Sequence, residues 1–491
     1  MACTTILVGK KASYDGSTMI ARNDDSPSGC FTPKKFVVFS ARKESIKYKS
    51  VISKQEIELP PNALRCTATP NVIKGKGVWA AGGANEKDVA MTATETITSN
   101  ERVLGADPLM QKGGIGEEDL VAIVLPYINS AREGVMRLGS LLKEYGTYEM
   151  NGIAFSDKDE IWWLETIGGH HFIARRVPDD RYVVMPNQFG LDNFDFADAF
   201  GEQKENICSE DLKEFITQNN LDLRVGVKEG DWSNFNPRIA FGSHSDADHV
   251  YNTPRAWFME RYLNPKTYKW DGEDADYKPE SDDIPWSLVP ENKITVEDVK
   301  YVLSSHFQGT EYDPYASYGE KSHKGQYRSI GINRNDFLGL FQIRGSMPCG
   351  CRAIEWLAFS SNAFNVMVPF YTNIEKTPHY MSCTTENVST DNFYWNSRLI
   401  SALTDASYKK SLNHVEHYQT AVGSQSHAII KEFDAKIKEA ASSENATIME
   451  LCYEANEKTT SMLKKETSDT LNHVLYETSN LMKNSYSRSD A

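Results

Sequence analysis

The stretch Cys3-Thr4-Thr5-Ile6-Leu7-Val8-Gly9, followed by Asp15-Gly16-Ser17 and then Thr18-Met19-Ile20-Ala21-Arg22, decides the architecture. β-Branched and apolar residues on both sides of an Asp-Gly turn signal spell a hairpin whose first strand begins at Cys3. The pattern recurs twice. Val78-Trp79-Ala80-Ala81-Gly82-Gly83 and Val89-Ala90-Met91-Thr92-Ala93-Thr94 flank the polar Asn85-Glu86-Lys87-Asp88, and Gly152-Ile153-Ala154-Phe155 and Ile161-Trp162-Trp163-Leu164 flank Ser156-Asp157-Lys158-Asp159. A meandering antiparallel sheet is expected.

Between the hairpins the spacing changes to three and four residues. Leu120, Ile123, Val124, Tyr127, Ile128, Ala131, Val135 and Leu138 predict a helix packed on a sheet, which Pro126 must bend or interrupt. Thr295 ahead of Asp298, then Val299, Val302, Leu303 and Phe307, predicts a second amphipathic helix capped by Thr295. Ile429, Ile430, Phe433 and Ile437, then Leu471, Val474, Leu475 and Thr478, make the end of the chain helical. Loops rich in Asp, Pro and Gly, Trp270 to Pro290 and Gly309 to Arg328, separate the blocks. This order argues α+β, stacked sheets with helices outside, rather than a parallel βαβ series. Residues 3–390 are expected to form the catalytic domain, and 391–491 a helical extension packed on it or at a subunit interface.

The 491 residues carry a net charge of -15, which repels phosphate backbones and anionic lipid and makes nucleic acid and membrane surfaces poor partners. A small-molecule or peptide substrate fits better. No basic start precedes an apolar segment, and no run approaches the ~18 apolar residues of a membrane span, so a cytoplasmic location is expected. Eight irregularly spaced cysteines do not form a disulfide framework and read as mostly reduced thiols. A homo-oligomer is left open.

Walker, dinucleotide-binding, H-E-x-x-H and nucleophile-elbow motifs are all missing, which shifts attention to the N-terminus. Loss of two residues would make Cys3 the first residue and give it both a thiol and a free α-amine. A thiol of pKa about 8.5 is only slightly ionised at neutral pH, and an amine of pKa about 7.7 to 8.0 can take its proton. A nearby cation favours the thiolate further. Arg22 lies on the strand antiparallel to that of Cys3, and Asp25 beyond it would hold the ammonium.

The run Cys3-Thr4-Thr5, Asp15-Gly16-Ser17 and Ala21-Arg22-Asn23-Asp24-Asp25 resembles the start of PepD-type cysteine dipeptidases of the N-terminal-nucleophile (Ntn) hydrolase superfamily, relatives of penicillin V acylase, bile salt hydrolase and secernin. The similarity continues through Gly83-Ala84-Asn85-Glu86-Lys87, Gly169-His170-His171-Phe172, Met185-Pro186-Asn187-Gln188-Phe189, Tyr251-Asn252-Thr253-Pro254-Arg255 and Gly309-Thr310-Glu311-Tyr312-Asp313-Pro314. It covers roughly residues 3 to 370. The resemblance implies a four-layer αββα sandwich, dipeptides as substrates, no cofactor and no metal. It also implies hydrolysis through a thioester on Cys3.

By the same resemblance Cys3 is nucleophile and general base, Arg22 the cation beside the sulfur, and Asp25 the carboxylate that positions the amine. Asn187 falls where an amide stabilises the oxyanion, a donor commonly worth about 3 kcal/mol, and Arg255 where a further arginine organises the site. Two departures follow. Glu95 stands roughly where acylases carry a second oxyanion asparagine, and an ionised Glu cannot donate, so it is expected to bind the α-ammonium of a dipeptide instead. Methionine excision would leave Ala2 attached, so exposure of the Cys3 amine requires a second cleavage.

Other readings compete. The same machinery would serve an acylase that cleaves non-peptide amides, and a non-catalytic secernin-like protein would keep the scaffold alone. A metallopeptidase would need His244, Asp246, Asp248 and His249, or Glu165 with His170 and His171, as ligands, yet neither set has a recognised spacing. Cys349-Gly350-Cys351 reads as buried thiols, and His414 with His417 as an exposed helix face.

Overall fold

In the computed structural model, which describes residues 2–93, 95–228, 230–440 and 445–484, the opening hairpin forms as its sequence dictates. Ala2–Val8 pairs antiparallel with Thr18–Asp25, placing Cys3 opposite Asp24 and Thr5 opposite Arg22. In the turn, Asp15 Oδ1 accepts from the Ser17 amide at 3.0 Å, and Gly16 takes φ +82°, a conformation that costs a residue without Cβ nothing.

This hairpin lies inside a seven-stranded sheet. Its order is Ser287–Leu288, Tyr182–Met185, Ala2–Val8, Thr18–Asp25, Asn335–Ile343, Ala353–Phe359 and Val368–Tyr371, with every neighbouring pair antiparallel. All eight residues of Thr18–Asp25 are buried, because elements cover the sheet on both faces. A second antiparallel sheet runs Asn206–Cys208, His171–Arg176, Ile161–Ile167, Asn151–Ser156, Ala90–Thr92 and Gly82–Ala84, and the short Glu95–Thr96 also pairs with Asn151–Ser156.

The two sheets meet where Thr18–Asp25 packs against Ala90–Thr92 and Asn151–Ser156, and where Gly82–Ala84 meets Asn335–Ile343. Gly82 permits that approach, since a Cβ there would stand 2.6 Å from Phe341 Cζ. Helix Ala131–Tyr145 packs on the second sheet, while Thr253–Leu263 and Val296–Leu303 pack on the first. The structure is therefore mixed, α+β with stacked antiparallel sheets, as the order of elements predicts.

Three expected elements differ in extent. The helix expected across Leu120 to Leu138 is two helices, Glu117–Val124 and Ala131–Tyr145, joined by a 3-10 turn over Leu125–Tyr127. Pro126 has no N–H to continue the ladder, and Ser130 restarts the helix by accepting from the Glu133 amide. Of the hairpin expected over Val78 to Thr94, Gly82–Ala84 and Ala90–Thr92 form strands, Trp79 takes the left-handed region at φ 46°, and Thr94 lies outside the described residues. Thr295 caps Val296–Leu303 as expected, with Asp298 accepting from the Thr295 amide at 2.9 Å, but the helix ends at Leu303 and Phe307, expected on its apolar face, lies beyond it at φ 65°.

The late helices are Phe393–Ala406, Tyr408–Glu439 and Asn445–Asn480, and they pack on Ala353–Phe359 and Val368–Tyr371. Arg398 Nη2 reaches Asp336 Oδ1 at 2.8 Å. Asn456, fully buried, accepts from the Tyr371 amide at 2.8 Å and donates to the Tyr371 carbonyl at 2.9 Å, closing the sheet edge as a further strand would. His417 is exposed, whereas His414 is half-buried and stacks on His473 at 4.9 Å. All eight cysteines are free thiols; Cys351 is buried 3.8 Å from Cys452 Sγ, but Cys349 is exposed. Among the described residues no helix is long and apolar enough to cross a membrane.

Asn456→Leu leaves the Tyr371 N–H and C=O buried without partners, at about 1–3 kcal/mol for each group. A drop of roughly 2–6 kcal/mol in unfolding free energy is expected, read from the shift of the urea midpoint at unchanged slope.

Candidate active site

Residues opposite each other in an antiparallel pair project to the same face. Cys3, Thr5, Arg22 and Asp24 therefore share one face of the opening hairpin, and Thr4, Asn23 and Asp25 share the other. Cys3 is fully buried.

On the thiol face, Arg22 Nη2 donates to Cys3 Sγ at 2.6 Å, to Glu117 Oε1 at 3.0 Å and to Asp24 Oδ1 at 3.3 Å. Its Nε donates to the Asn23 carbonyl at 3.1 Å and its Nη1 to the Ala81 carbonyl at 3.4 Å. Lys34 Nζ, also buried, pairs with Asp24 Oδ2 at 2.6 Å and donates to the Trp79 carbonyl at 2.7 Å. Two cations thus share two carboxylates and a sulfur. Removing each ion from water costs several kcal/mol, so the group is tolerable only as a set. Burial pushes the Asp24 carboxyl upward, but Lys34 and Arg22 outweigh it and hold Asp24 below its ordinary value. Glu117 begins its helix, and its amide donates to Glu149 Oε1 at 2.6 Å; burial and the Glu117 charge push Glu149 up to about 7.

The opposite face fixes the backbone. Arg255, fully buried on Thr253–Leu263, donates from Nη1 to the Cys3 carbonyl and to Thr4 Oγ1, the latter at 2.6 Å. Its Nη2 donates to Asn187 Oδ1 at 2.8 Å and to Asn252 Oδ1 at 2.7 Å. A guanidinium only donates, so the Asn187 oxygen must face it. That oxygen also accepts from the Cys3 amide at 3.3 Å, while Asn187 Nδ2 donates to the Thr96 carbonyl at 2.9 Å. Asp25 is held by Arg328 Nη2 and by Asn335 Nδ2, the latter at 2.9 Å. A cavity of about 350 Å³ opens beside Asn187 and Thr96, lined further by Thr98, Ser243, Asp248 and Tyr251.

Cys3, Arg22, Asp25, Asn187 and Arg255 thus converge on one strand end. Glu95 lies on Glu95–Thr96 with its backbone opposite Gly152, and its side chain lies outside the described residues. The reading of the sequence missed Asp24, Lys34, Glu117 and Arg328. Strand parity alone points to Asp24, which faces the same way as the thiol. No local signal marks the other three.

The metal sets considered above do not assemble. His249 pairs with Asp282 at 2.9 Å, while Asp248 accepts from Ser243 and Ser245. His170 and His171 both bind Asp107, at 2.8 and 2.7 Å, and Glu165 instead accepts from Trp163 Nε1 and the Gly190 amide. Among the described residues, Cys3, Asp24 and Glu117 do converge with metal-ligand spacing, but the Arg22 guanidinium bonds to all three.

A thiol gripped by a buried arginine at the start of an inner strand is a candidate reactive centre, and sequence comparison gives the kind of protein that carries it. The model of peptidase family C69 matches residues 2–421; the chain belongs to that family and is a peptidase. It is 51% identical over 536 aligned residues to a protein of Bifidobacterium longum (strain NCC 2705) named dipeptidase, covering all of both chains. It is 50% identical over 490 residues to a probable dipeptidase A of Streptococcus pyogenes serotype M3 (strain SSI-1), again over the whole of each chain. A dipeptidase A of Lactobacillus helveticus is 42% identical over 98% of this chain and 97% of that one.

Because Asp24 is more acidic folded than free, its stabilisation is complete above the ordinary carboxylate pKa of about 3.9 and is lost as pH falls through the lowered folded value. Lys34→Met removes the foremost group that lowers it. The acid-unfolding midpoint followed by tryptophan fluorescence is expected at higher pH in this variant than in the parent.

Proposed function

We propose that this chain is a cysteine dipeptidase whose nucleophile is Cys3, freed at its amine by removal of Met1 and Ala2. The observation that carries the reading is the 2.6 Å contact of Arg22 with the Cys3 sulfur in a fully buried site. The relatives named dipeptidase, matched over whole chains, support the substrate class.

In this reading the free Cys3 amine takes the thiol proton, and Arg22 favours the resulting thiolate. The thiolate adds to the carbonyl carbon of the dipeptide, and the Asn187 amide stabilises the oxyanion from the cavity side. The C–N bond breaks as the Cys3 ammonium returns its proton to the leaving amine, and a thioester remains. Water, deprotonated by the same amine, adds to the thioester and releases the second amino acid and the thiol. Asp25, fixed by Arg328 and Asn335 and opposite Ala2 in the pairing, steadies the new ammonium. Arg255 holds the Cys3 carbonyl and orients Asn187. Glu95 binds the substrate α-ammonium.

The same reading takes the stacked sheets with outer helices as the αββα sandwich of Ntn hydrolases. It takes 3–390 as the catalytic domain and 391–491 as an extension packed on it. Eight free thiols fit a reducing, cytoplasmic compartment.

Intact mass and N-terminal sequencing of wild type and Cys3→Ala, beside a dipeptide panel, test the nucleophile. Active protein is expected to begin at Cys3, and the variant to lose at least about a thousandfold in kcat/KM. Activity from a chain that keeps Ala2 rules out the amine as base, and inhibition by a chelator rather than by iodoacetamide moves the assignment to a metallopeptidase. Separately, Glu95→Gln is expected to weaken the preference for a free α-amine over an N-acylated substrate; an unchanged preference removes Glu95 from that role.

A further inference from the structure

Tyr251 lines the cavity beside Asn187 but has no part in the chemistry above. Its placement is nonetheless tightly built. The ring lies 5.1 Å from the guanidinium carbons of both Arg255 and Arg328. The phenolic oxygen accepts from Arg334 Nη2 at 3.1 Å, and the Tyr251 carbonyl accepts from Arg255 Nε at 2.7 Å. The next residue, Asn252, is locked to Asn187 by two bonds: its Nδ2 donates to the Asn187 carbonyl at 3.1 Å, and its Oδ1 accepts from the Asn187 amide at 3.2 Å. Tyr251 is thus held in fixed relation to the amide assigned to the oxyanion.

The charges behind this phenol are unequal. Arg255 bonds neutral oxygens, Arg328 is paired with Asp25, and Arg334 donates to the Ser26 carbonyl at 2.8 Å and to Tyr251. Among the described residues, Arg334 makes no ion pair with a carboxylate, and it is only half-buried. The acid in the cavity wall, Asp248, is satisfied by Ser243, Ser245 and Asn252. The wall otherwise offers hydroxyls and amides. A phenol that accepts from a cation turns its own proton outward as a strengthened donor. Burial works to raise the Tyr251 pKa, but Arg328, Arg255 and Arg334 outweigh it and leave the phenol more acidic than usual. Such a wall suits an anion, and the anion a dipeptide carries beyond its scissile bond is its C-terminal carboxylate.

We propose that the Tyr251 hydroxyl, backed by Arg334, binds the C-terminal carboxylate of the substrate and so restricts the enzyme to peptides that end one residue past the scissile bond. This rests on the dipeptidase reading. Tyr251 is a specificity residue, distinct in effect from Arg255, which acts through Asn187 and the Cys3 backbone.

The test compares kcat/KM for a dipeptide and for the same dipeptide as its C-terminal amide, using the full-length processed enzyme, Tyr251→Phe and Arg334→Gln. The rate of iodoacetamide labelling at Cys3 verifies an intact site in each. Wild type is expected to favour the free acid about tenfold or more, the worth of one hydrogen bond to a charged group. In both variants that ratio falls towards one, through KM of the acid. Equal losses on acid and amide, or an undiminished ratio, overturn the carboxylate assignment while the dipeptidase reading stands. A wild type that cleaves no dipeptide overturns both.

Discussion

The Arg22 guanidinium, buried with its Nη2 shared by the Cys3 sulfur, Asp24 and Glu117, is the constraint around which the centre of the molecule is arranged. Arginine does not shed its proton inside a protein, so its charge must be met by anions in place. Asp24 comes from its own strand, and Glu117 from the start of a helix remote in sequence. The second carboxylate oxygen of Asp24 in turn requires Lys34. Glu117, on the helix ahead of Pro126, and Ala81, just before a strand of the second sheet, meet the same side chain. One ion thereby joins the two sheets at the thiol.

Alternation along the first strand divides the work. The Cys3 side chain faces the charge cluster, while its backbone and Thr4 are held from the other side by Arg255. Arg255 also fixes which end of the Asn187 amide points at Cys3, and its helix lies against Tyr182–Met185, the strand that delivers Asn187. The electrostatics of the sulfur and the position of the chain are thus set by separate residues, and a substitution in one set need not disturb the other.

The hairpin was legible because period two and an Asp-Gly turn leave few alternatives, and with it came Arg22 and Asp25, which ride on its second strand. Helices with strong three-and-four spacing were legible too, although Pro126 split one by removing a single donor. Asn187 and Arg255 lie 184 and 252 positions from Cys3, and only resemblance brought them to it. Lys34, Glu117 and Arg328 carry no local pattern, since nothing in their neighbourhoods says which distant charge they neutralise. Asp24 was readable from parity, because the residue opposite Cys3 must face as Cys3 does. The short strands Gly82–Ala84 and Ala90–Thr92 were over-extended because burial between sheets favours apolar residues in loops as well as in strands.

Arg255 grips the carbonyl of residue 3 and the hydroxyl of residue 4, and the pairing of Ala2–Val8 with Thr18–Asp25 continues from Cys3 onward without Ala2. Scission on the amino side of Cys3, as proposed, would give up the pairing of Ala2 with Asp25 and leave in place the bonds from Cys3 onward. In the proposed processing, a chain end created at Cys3 would be held where it is made by contacts already present in the uncut fold.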